Sequence, residues 1–151
     1  MGSTTDNLES RLSGKLFNMV NKIILSLFDY SGNWPSFYKQ AGYEVYQIDL
    51  KHDLNILDID IEKDIKPLGS IYGILAAPPC TDFASSGAQY WKTKDADGRT
   101  DASLRLIYKT LEIIEATQPV FWVLENPVGR LQSLVPELGK PWYFNPNQFA
   151  G

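Results

Sequence analysis

The sequence has very few of the residues that build metal sites and covalent cross-links. Among 151 residues there is one cysteine, Cys80, and one histidine, His52. A lone cysteine cannot form an internal disulfide, and a single histidine leaves no His/Cys cluster for zinc, so both kinds of stabilised scaffold are excluded. No apolar run is long enough to span a bilayer, and the first residues lack the apolar core of a secretory signal. We therefore expect a cytoplasmic protein with no metal and no membrane partner.

Positive charge is also scarce. The chain has 14 Lys and Arg against 18 Asp and Glu, which gives a net charge of −4. A protein that binds nucleic acid usually presents a basic face that neutralises phosphates, so the overall charge does not point to this class. The composition leaves open a local basic rim on an acidic body.

Apolar and aromatic residues are plentiful. Hydrophobic residues make up 44% of the chain, which contains eight Tyr, seven Phe and four Trp. This composition is typical of a folded globule, and the length fits one domain. We divide the chain into residues 1–21, a leader with a candidate helix over residues 8–20, and residues 22–151, a single domain.

Short apolar runs alternate with helical patterns along this domain. Buried strands are predicted over residues 22–28, 43–48, 71–76 and 120–124. Helices are predicted over residues 35–41 and 101–117, the latter capped by Asp101, with short helical turns over 61–65 and 128–134. The alternation indicates an α/β fold with a mostly parallel sheet and helices on both faces. Ligands of such sheets bind beyond the carboxyl ends of the strands.

The first predicted strand ends in the turn Phe28-Asp29-Tyr30-Ser31-Gly32-Asn33-Trp34. Gly32 lets backbone amides approach a ligand closely, and the following helix adds partial positive charge for a carboxylate or phosphate. Asp49 ends the second strand, where an acidic residue can accept hydrogen bonds from ribose hydroxyls. An ordinary turn-forming acid is an equally good interpretation of Asp49 alone. Together the two features predict a ribose-containing cofactor.

Cys80 follows two prolines at the end of the third apolar run. Prolines stiffen the loop and remove backbone donors, so the sulfur is presented rigidly at the edge of the sheet. Such presentation favours a nucleophile, which needs cations or helix amides nearby to form its thiolate. The alternative is a small buried apolar residue, the usual role of a lone cysteine.

Glu125, Asn126 and Pro127 follow the fourth apolar run. A carboxyl group buried there keeps its proton near neutral pH, so Glu125 is a candidate proton donor. The alternatives are an exposed carboxylate at a strand end, or a carboxylate paired with Arg130.

These segments resemble, in order and spacing, the motifs of the DNA cytosine-5 methyltransferases, especially divergent forms encoded by phages. The likeness covers residues 22–134 and is most specific in Ala77-Pro78-Pro79-Cys80-Thr81-Asp82-Phe83-Ala84 and Leu124-Glu125-Asn126-Pro127. It implies the Rossmann-like sheet of the class I methyltransferases, S-adenosylmethionine as cofactor, and double-stranded DNA with a flipped cytosine as substrate. A bacterial host or a phage-infected cell is the location that it implies.

The resemblance also assigns roles, with residues 22–151 as the cofactor-binding and catalytic domain. Cys80 is the implied nucleophile, and Glu125 is the implied acid at N3 of the cytosine ring. The implied cofactor-binding residues are Phe28, Asp29, Ser31, Gly32, Trp34, Asp49, Asp53 and Pro78. The implied substrate-binding residues are Pro79, Ser85, Asn126 and Arg130.

Two departures from the family pattern affect these expectations. Asn33 and Trp34 stand where most members have further glycines, and no Gln-x-Arg-x-Arg motif or target-recognition region follows Pro127 before the chain stops at Gly151. We expect an incomplete domain or a second chain that supplies the target-recognition region. The alternative functions are a non-catalytic remnant that binds cofactor or a partner protein, and methylation of RNA cytosine.

Overall fold

A computed structural model describes residues 22–143, so the candidate helix over residues 8–20 lies outside the described residues. Four strands form one parallel sheet: β1 (Ile23–Leu27), β2 (Glu44–Ile48), β3 (Ile71–Ala76) and β4 (Phe121–Leu124). Their order is β2-β1-β3-β4. The chain leaves β1 for a neighbour on one side and later returns to its other side, so the strand order reverses between β1 and β3, where ligands of such sheets bind.

All five residues of β1 are buried, which explains why four of them are apolar; the exception is Ser26. The register brings the strand ends into line. Leu27 lies opposite both Ile48 and Ala76, and Ala76 lies opposite Leu124. The segments that follow the four strands therefore leave the sheet along one edge.

Within residues 22–143, four helices accompany the strands: α1 (Ser36–Gln40), α2 (Trp91–Ala96), α3 (Arg99–Thr117) and α4 (Leu131–Leu134). Short helical turns are found at Leu50–His52, Ile56–Asp58, Ile61–Ile65, Lys66–Leu68, Ser85–Tyr90 and Pro136–Leu138. On one face of the sheet, Ile113 of α3 packs in a core with Leu25 and Ile74. On the other face, Tyr38 of α1 stacks on Phe121, with 5.9 Å between the ring centroids. This arrangement confirms the predicted parallel sheet with helices on both faces.

A second core fixes the segments that follow Cys80 and Glu125. Phe83 and Ile107 are fully buried and pack with Leu131 and Val135. Phe83 comes from the segment after Cys80, whereas Leu131 and Val135 come from the segment after Glu125. Apolar packing therefore draws both segments onto α3.

Three predicted details are corrected by the structure. Helix α3 begins at Arg99 after Gly98, whose φ of +83° suits glycine, so Asp101 lies in the first turn and does not cap the helix. The helical turn predicted over residues 128–134 forms only over Leu131–Leu134, as α4. Strand β4 is not fully buried, since Trp122 is 38% exposed and Val123 is 44% exposed. Within residues 22–143 only β3 pairs with β4, which makes it an edge strand.

Candidate active site

Backbone hydrogen bonds continue the sheet one residue beyond three of the strands. Phe28 N donates to Ile48 O at 2.8 Å, Ala77 N to Leu27 O at 3.1 Å, and Glu125 N to Ala76 O at 2.8 Å. One edge of the sheet therefore carries all of the predicted site segments. They are the first turn, Asp49, the Pro-Pro-Cys segment and the Glu-Asn-Pro segment. The structure brings the predicted site segments together there.

The first turn is built around the buried carboxylate of Asp29. One oxygen accepts a hydrogen bond from Ser26 Oγ at 2.8 Å, and the other accepts from Ser31 Oγ at 3.1 Å and from Gly32 N at 2.9 Å. Phe28 has a φ of +60°, and Gly32 has a φ of +68°. The carboxylate and hydroxyl oxygens of Asp29 and Ser31 are therefore occupied in shaping the turn.

Gln47 of β2 supports this turn and was not among the predicted site residues. Its Nε2 donates to Asp29 O at 2.9 Å and to Tyr30 O at 3.4 Å. A Cβ placed on Gly32 would lie 3.1 Å from the Gln47 amide, so the glycine permits this close approach. The only sequence signal was a polar residue between two apolar residues of a strand. Trp34, at the other end of the turn, is partly buried.

The two predicted acidic residues after β2 occupy different environments. Asp49 is partly buried, and its Oδ1 accepts a hydrogen bond from Lys51 N at 2.8 Å, which caps the turn Leu50–His52. Asp53 is exposed, has a φ of +59°, and lines an open groove of about 530 Å³ beside β2. Asp49 is at the shared edge, whereas Asp53 borders the groove.

Cys80 lies in a tight turn beyond β3. Pro78 is buried, Pro79 is exposed, and Cys80 is a partly buried free thiol. The carbonyl oxygen of Cys80 accepts hydrogen bonds from Phe83 N at 3.0 Å and Ala84 N at 2.9 Å. This turn holds the backbone that carries the sulfur.

Beyond β4, Glu125 is exposed, so the burial expected for it is wrong. The cause is the position of β4 at the edge of the described sheet.

Asn126, the next residue, has a buried side-chain amide. Its Nδ2 and Oδ1 are both buried, and neither has a hydrogen-bond partner in the described part of the chain. A buried amide without hydrogen-bond partners carries a desolvation penalty.

The Cys80 segment and the Glu125 segment are joined by a short antiparallel bridge. Ala84 pairs with Gly129, Ser85 N donates to Val128 O at 2.9 Å, and Arg130 N donates to Phe83 O at 2.9 Å. The Ser85 side chain is exposed beside this bridge.

The Arg130 side chain reinforces the bridge. Its Nε donates to Asp82 O at 3.1 Å, and its two terminal nitrogens donate to the two Asp95 oxygens at 2.9 and 2.8 Å. The guanidinium also lies over the Trp91 ring, 4.7 Å from the centroid. These hydrogen bonds hold the pKa of Asp95 below its usual range. Arg130 therefore pairs with Asp95 and not with Glu125.

A second charged pair involves the segment just after Cys80. Lys94 Nζ is 3.0 Å from Asp82 Oδ1, both side chains are 11% exposed, and Lys94 also donates to Thr81 O. Burial acts to raise the pKa of Asp82, but hydrogen bonds from Ser103 and Lys94 outweigh it and hold the pKa below the usual range. Neither Asp82, Lys94 nor Asp95 was predicted as a site residue.

In residues 22–143, no group of three or more His, Cys, Asp or Glu side chains is placed to hold a metal ion. The same residues contain no helix that is long and apolar enough to cross a membrane.

Comparison with known proteins identifies related sequences. A family model described as C-5 cytosine-specific DNA methylase matches residues 24–134. A protein of Frog virus 3 (isolate Goorha) named "Probable DNA (cytosine-5)-methyltransferase" is 29% identical over 126 residues, which cover 76% of this chain and 58% of the viral protein. The "Type II methyltransferase M.FnuDI" of Fusobacterium nucleatum is 25% identical over 120 residues, which cover 72% of this chain and 33% of that protein. No solved structure gives a significant match.

The matched region contains β2, β3 and β4, all of β1 except Ile23, and the segments at the carboxyl edge of the sheet. The alignments span 58% and 33% of the lengths of the two curated relatives. Because the family model matches well over half of the sequence, the chain belongs to the C-5 cytosine-specific DNA methylase family.

Proposed function

We propose that this protein methylates carbon 5 of cytosine in DNA, with Cys80 as the nucleophile and S-adenosylmethionine as the methyl donor. The observation that carries the proposal is the common edge of β3 and β4. Glu125 N bonds to Ala76 O, so the segment with the thiol and the segment with the carboxyl group leave adjacent strands. Family membership supports cytosine as the substrate base.

The reaction explains why a thiol is needed. Carbon 5 of cytosine is too electron-poor to accept a methyl group directly. The Cys80 thiolate adds to carbon 6, and the electron pair of the 5,6 double bond moves toward carbon 5. Carbon 5 then forms its bond to the methyl group, which the cofactor supplies in electrophilic form. Loss of the proton on carbon 5 returns an electron pair to the ring and expels the Cys80 sulfur.

Glu125 assists the addition by providing a proton or hydrogen bond at N3 of the ring. Its side chain is exposed in the free protein, so it is accessible to an incoming base. A cytosine inside a duplex cannot reach such an edge, so the base must be flipped out. The unpartnered amide of Asn126 supports binding of a polar group next to Glu125. Pro79 and Ser85 are exposed in the segment that carries Cys80 and are proposed to contact the substrate.

The first turn is proposed to hold the ribose and amino-acid parts of S-adenosylmethionine. Phe28 and Gly32 both have left-handed conformations, which turn the chain sharply at the carboxyl end of β1. Asp29 and Ser31 are proposed to act by shaping this turn, because their polar atoms bond within it. Asp49 is proposed to accept hydrogen bonds from the ribose, while Trp34, Asp53 and Pro78 complete the cofactor site.

We also propose that a second polypeptide reads the target sequence and docks on β4. No strand of residues 22–143 pairs with the outer edge of β4, and Phe121–Leu124 contains no charge or proline to protect it. Trp122 and Val123 project to opposite faces and are both exposed. The two curated relatives are longer than the parts of them that match this chain.

The test is covalent trapping on duplex DNA that contains 5-fluorocytosine, with S-adenosylmethionine present. Fluorine cannot leave carbon 5 as a proton does, so the Cys80 adduct accumulates. We expect an adduct with the native chain and none with Cys80→Ala. Absence of an adduct, together with calorimetric binding of the cofactor, would instead support a non-catalytic remnant.

Two variations refine the assignment. RNA that contains 5-fluorocytidine should trap at least tenfold less protein than DNA, and the reverse preference would identify an RNA enzyme. Duplexes with randomised flanks should be trapped by the chain alone with little sequence preference. Strong preference by the chain alone would contradict a second, target-reading polypeptide.

A further inference from the structure

Arg130 is the point at which four segments of the described chain meet. Its side chain contacts the carbonyl of Asp82, the carboxylate of Asp95 and the hydroxyl of Thr100, and it lies over Trp91. We infer that Arg130 is a positioning residue that fixes the Cys80 segment relative to the Glu125 segment. This inference rests on the proposed function, because it concerns how its two reacting groups are aligned.

The donors of Arg130 are almost fully used inside the protein. Four hydrogen bonds leave the guanidinium: one to Asp82 O, two to the Asp95 carboxylate and one, of 2.9 Å, to Thr100 Oγ1. The side chain is only 12% exposed. A phosphate would have to displace these partners to bind it, so the guanidinium is poorly placed for direct contact with DNA. We therefore expect Arg130 to hold the Cys80 and Glu125 segments in position, and not to make the substrate contact that the family resemblance implies.

The contacts of Arg130 lie close in sequence to the two reacting residues, Cys80 and Glu125. Asp82, whose carbonyl accepts from Arg130, is two residues after Cys80, and Arg130 itself is five residues after Glu125. The Ala84 to Gly129 bridge fixes the same segments through their backbones. The bridge joins the segments through two backbone hydrogen bonds, and the second core packs both segments on α3. The side-chain contact at Asp82 adds a further attachment, nearer to Cys80 in sequence than the bridge.

The network also holds α2 and the start of α3 against these segments. Asp95 lies in α2, and Thr100 Oγ1 donates to Asp95 Oδ1 at 2.6 Å. The planar fork of an arginine makes two parallel bonds to one carboxylate while its Nε remains free for a third acceptor. A lysine cannot reproduce this set, so Arg130→Lys should recover only part of the function.

The experiment compares Arg130→Ala, Arg130→Lys, Asp95→Ala and the double variant Asp95→Ala/Arg130→Ala in the full chain. Arg99→Ala is the matched control, because Arg99 pairs with Asp97 at an exposed position near the same helices. Each variant is assayed for kcat, for KM toward DNA and cofactor, and for thermal unfolding. We expect Arg130→Ala to lower kcat about 100-fold with both KM values nearly unchanged, as misplacement of reacting groups does.

The remaining variants test whether Arg130 acts through Asp95. Asp95→Ala should reproduce much of the loss, and the double variant should be little worse than Arg130→Ala, because one network is removed either way. Arg99→Ala should behave as the native chain. A rise in KM for DNA with unchanged kcat would overturn the inference, because it would make Arg130 a substrate contact.

A second measurement does not depend on methylation. Cys80 is the only cysteine in the chain, so its alkylation by iodoacetamide reports on this segment alone. Arg130→Ala should alkylate several times faster than the native and Arg99→Ala chains at a temperature where all are folded. If the native chain forms no DNA adduct but this acceleration occurs, the proposed function fails and the positional coupling stands. Equal alkylation rates in folded proteins would overturn the coupling itself.

Discussion

The backbone of Gly129 lies directly against the carbonyl oxygen of Phe83, so that a Cβ placed on Gly129 would be 1.9 Å from that oxygen. This distance is much shorter than a van der Waals contact. The atom that a Cβ would meet belongs to the backbone, so no side-chain rotation can relieve the clash. Glycine at this position is what permits the Cys80 and Glu125 segments to pair. The requirement is for space, independent of the backbone conformation of Gly129.

Gly129→Ala should therefore separate the two segments. We expect a loss of about 1–3 kcal/mol in the free energy of unfolding, typical of overpacking at a tight contact, and a much larger loss of DNA adduct formation. Chemical denaturation and 5-fluorocytosine trapping measure the two effects. Gly139→Ala is the control for backbone strain without a clash: a Cβ there meets no atom within 4 Å, but the φ of +73° disfavours alanine, so it should cost stability without lowering the adduct yield. Native adduct yield in Gly129→Ala would contradict the role given to this bridge.

Asn126→Leu should separate stability from function. Leucine has a shape close to that of asparagine, and the change removes two buried polar atoms that have no partner in the described residues. We expect the free energy of unfolding to stay the same or to rise by about 1 kcal/mol, while adduct formation falls at least tenfold.

The matched control is Asn55→Leu. Asn55 Oδ1 accepts a hydrogen bond from Leu57 N at 3.1 Å, so its loss should cost about 1 kcal/mol of stability without affecting the adduct. If Asn126→Leu loses stability as Asn55→Leu does, the Asn126 amide has a structural partner in the native protein.

Gln47→Ala should weaken cofactor binding. The change removes the side chain that holds Asp29 O and Tyr30 O, and the first turn loses a support worth about 1 kcal/mol. We expect the Kd for S-adenosylmethionine, measured by titration calorimetry, to rise about fivefold to tenfold. Gln40→Ala, on the exposed end of α1, should leave the Kd unchanged. An equal change in both variants would exclude a specific role for Gln47.

Acid should destabilise the protein partly through Asp82. Hydrogen bonds from Ser103 and Lys94 keep the pKa of Asp82 below its usual range despite burial. A carboxyl group with a lowered folded-state pKa contributes stability above its unfolded pKa of about 3.9, and this contribution is lost as pH falls through the folded value. Asp82→Asn should therefore be less stable than the native chain at pH 7 and show a weaker decline below about pH 4.

Urea denaturation from pH 7 to pH 3 measures this difference. Asp97→Asn is the comparison, because Asp97 also has a lowered pKa, caused by hydrogen bonds from Arg99, but lies exposed to solvent. Solvent screening should make its effect on the stability curve smaller. Parallel curves for the native chain and Asp82→Asn would contradict this account.

Much of the architecture was predictable because its signals are local. The apolar runs that became β1 and β3 are buried throughout or nearly so, and they stop at residues that turn the chain. The turn at 61–65 was also predicted at its observed position. The start of α3 was predicted two residues late, because Asp101 is a good capping residue and Gly98 carries no comparable local signal.

The environments of the site residues were harder to predict because they depend on distant neighbours. Glu125 follows an apolar run as a buried carboxyl group would, yet it is exposed because β4 lies at the edge of the described sheet. Arg130 was assigned to substrate, with Glu125 as an alternative partner, but its carboxylate partner is Asp95, 35 residues earlier in the chain. No spacing rule connects those two positions.

Periodicity, turn chemistry and short motifs act over a few neighbouring residues. They were enough to predict the order of strands and helices, the edge at which the special residues lie, and the family to which the chain belongs. The exposure of Glu125, the support of the first turn by Gln47, and the link that Arg130 makes between the Cys80 segment and α2 became visible only in the folded chain. Those relationships arise when packing brings residues far apart in sequence within hydrogen-bonding distance.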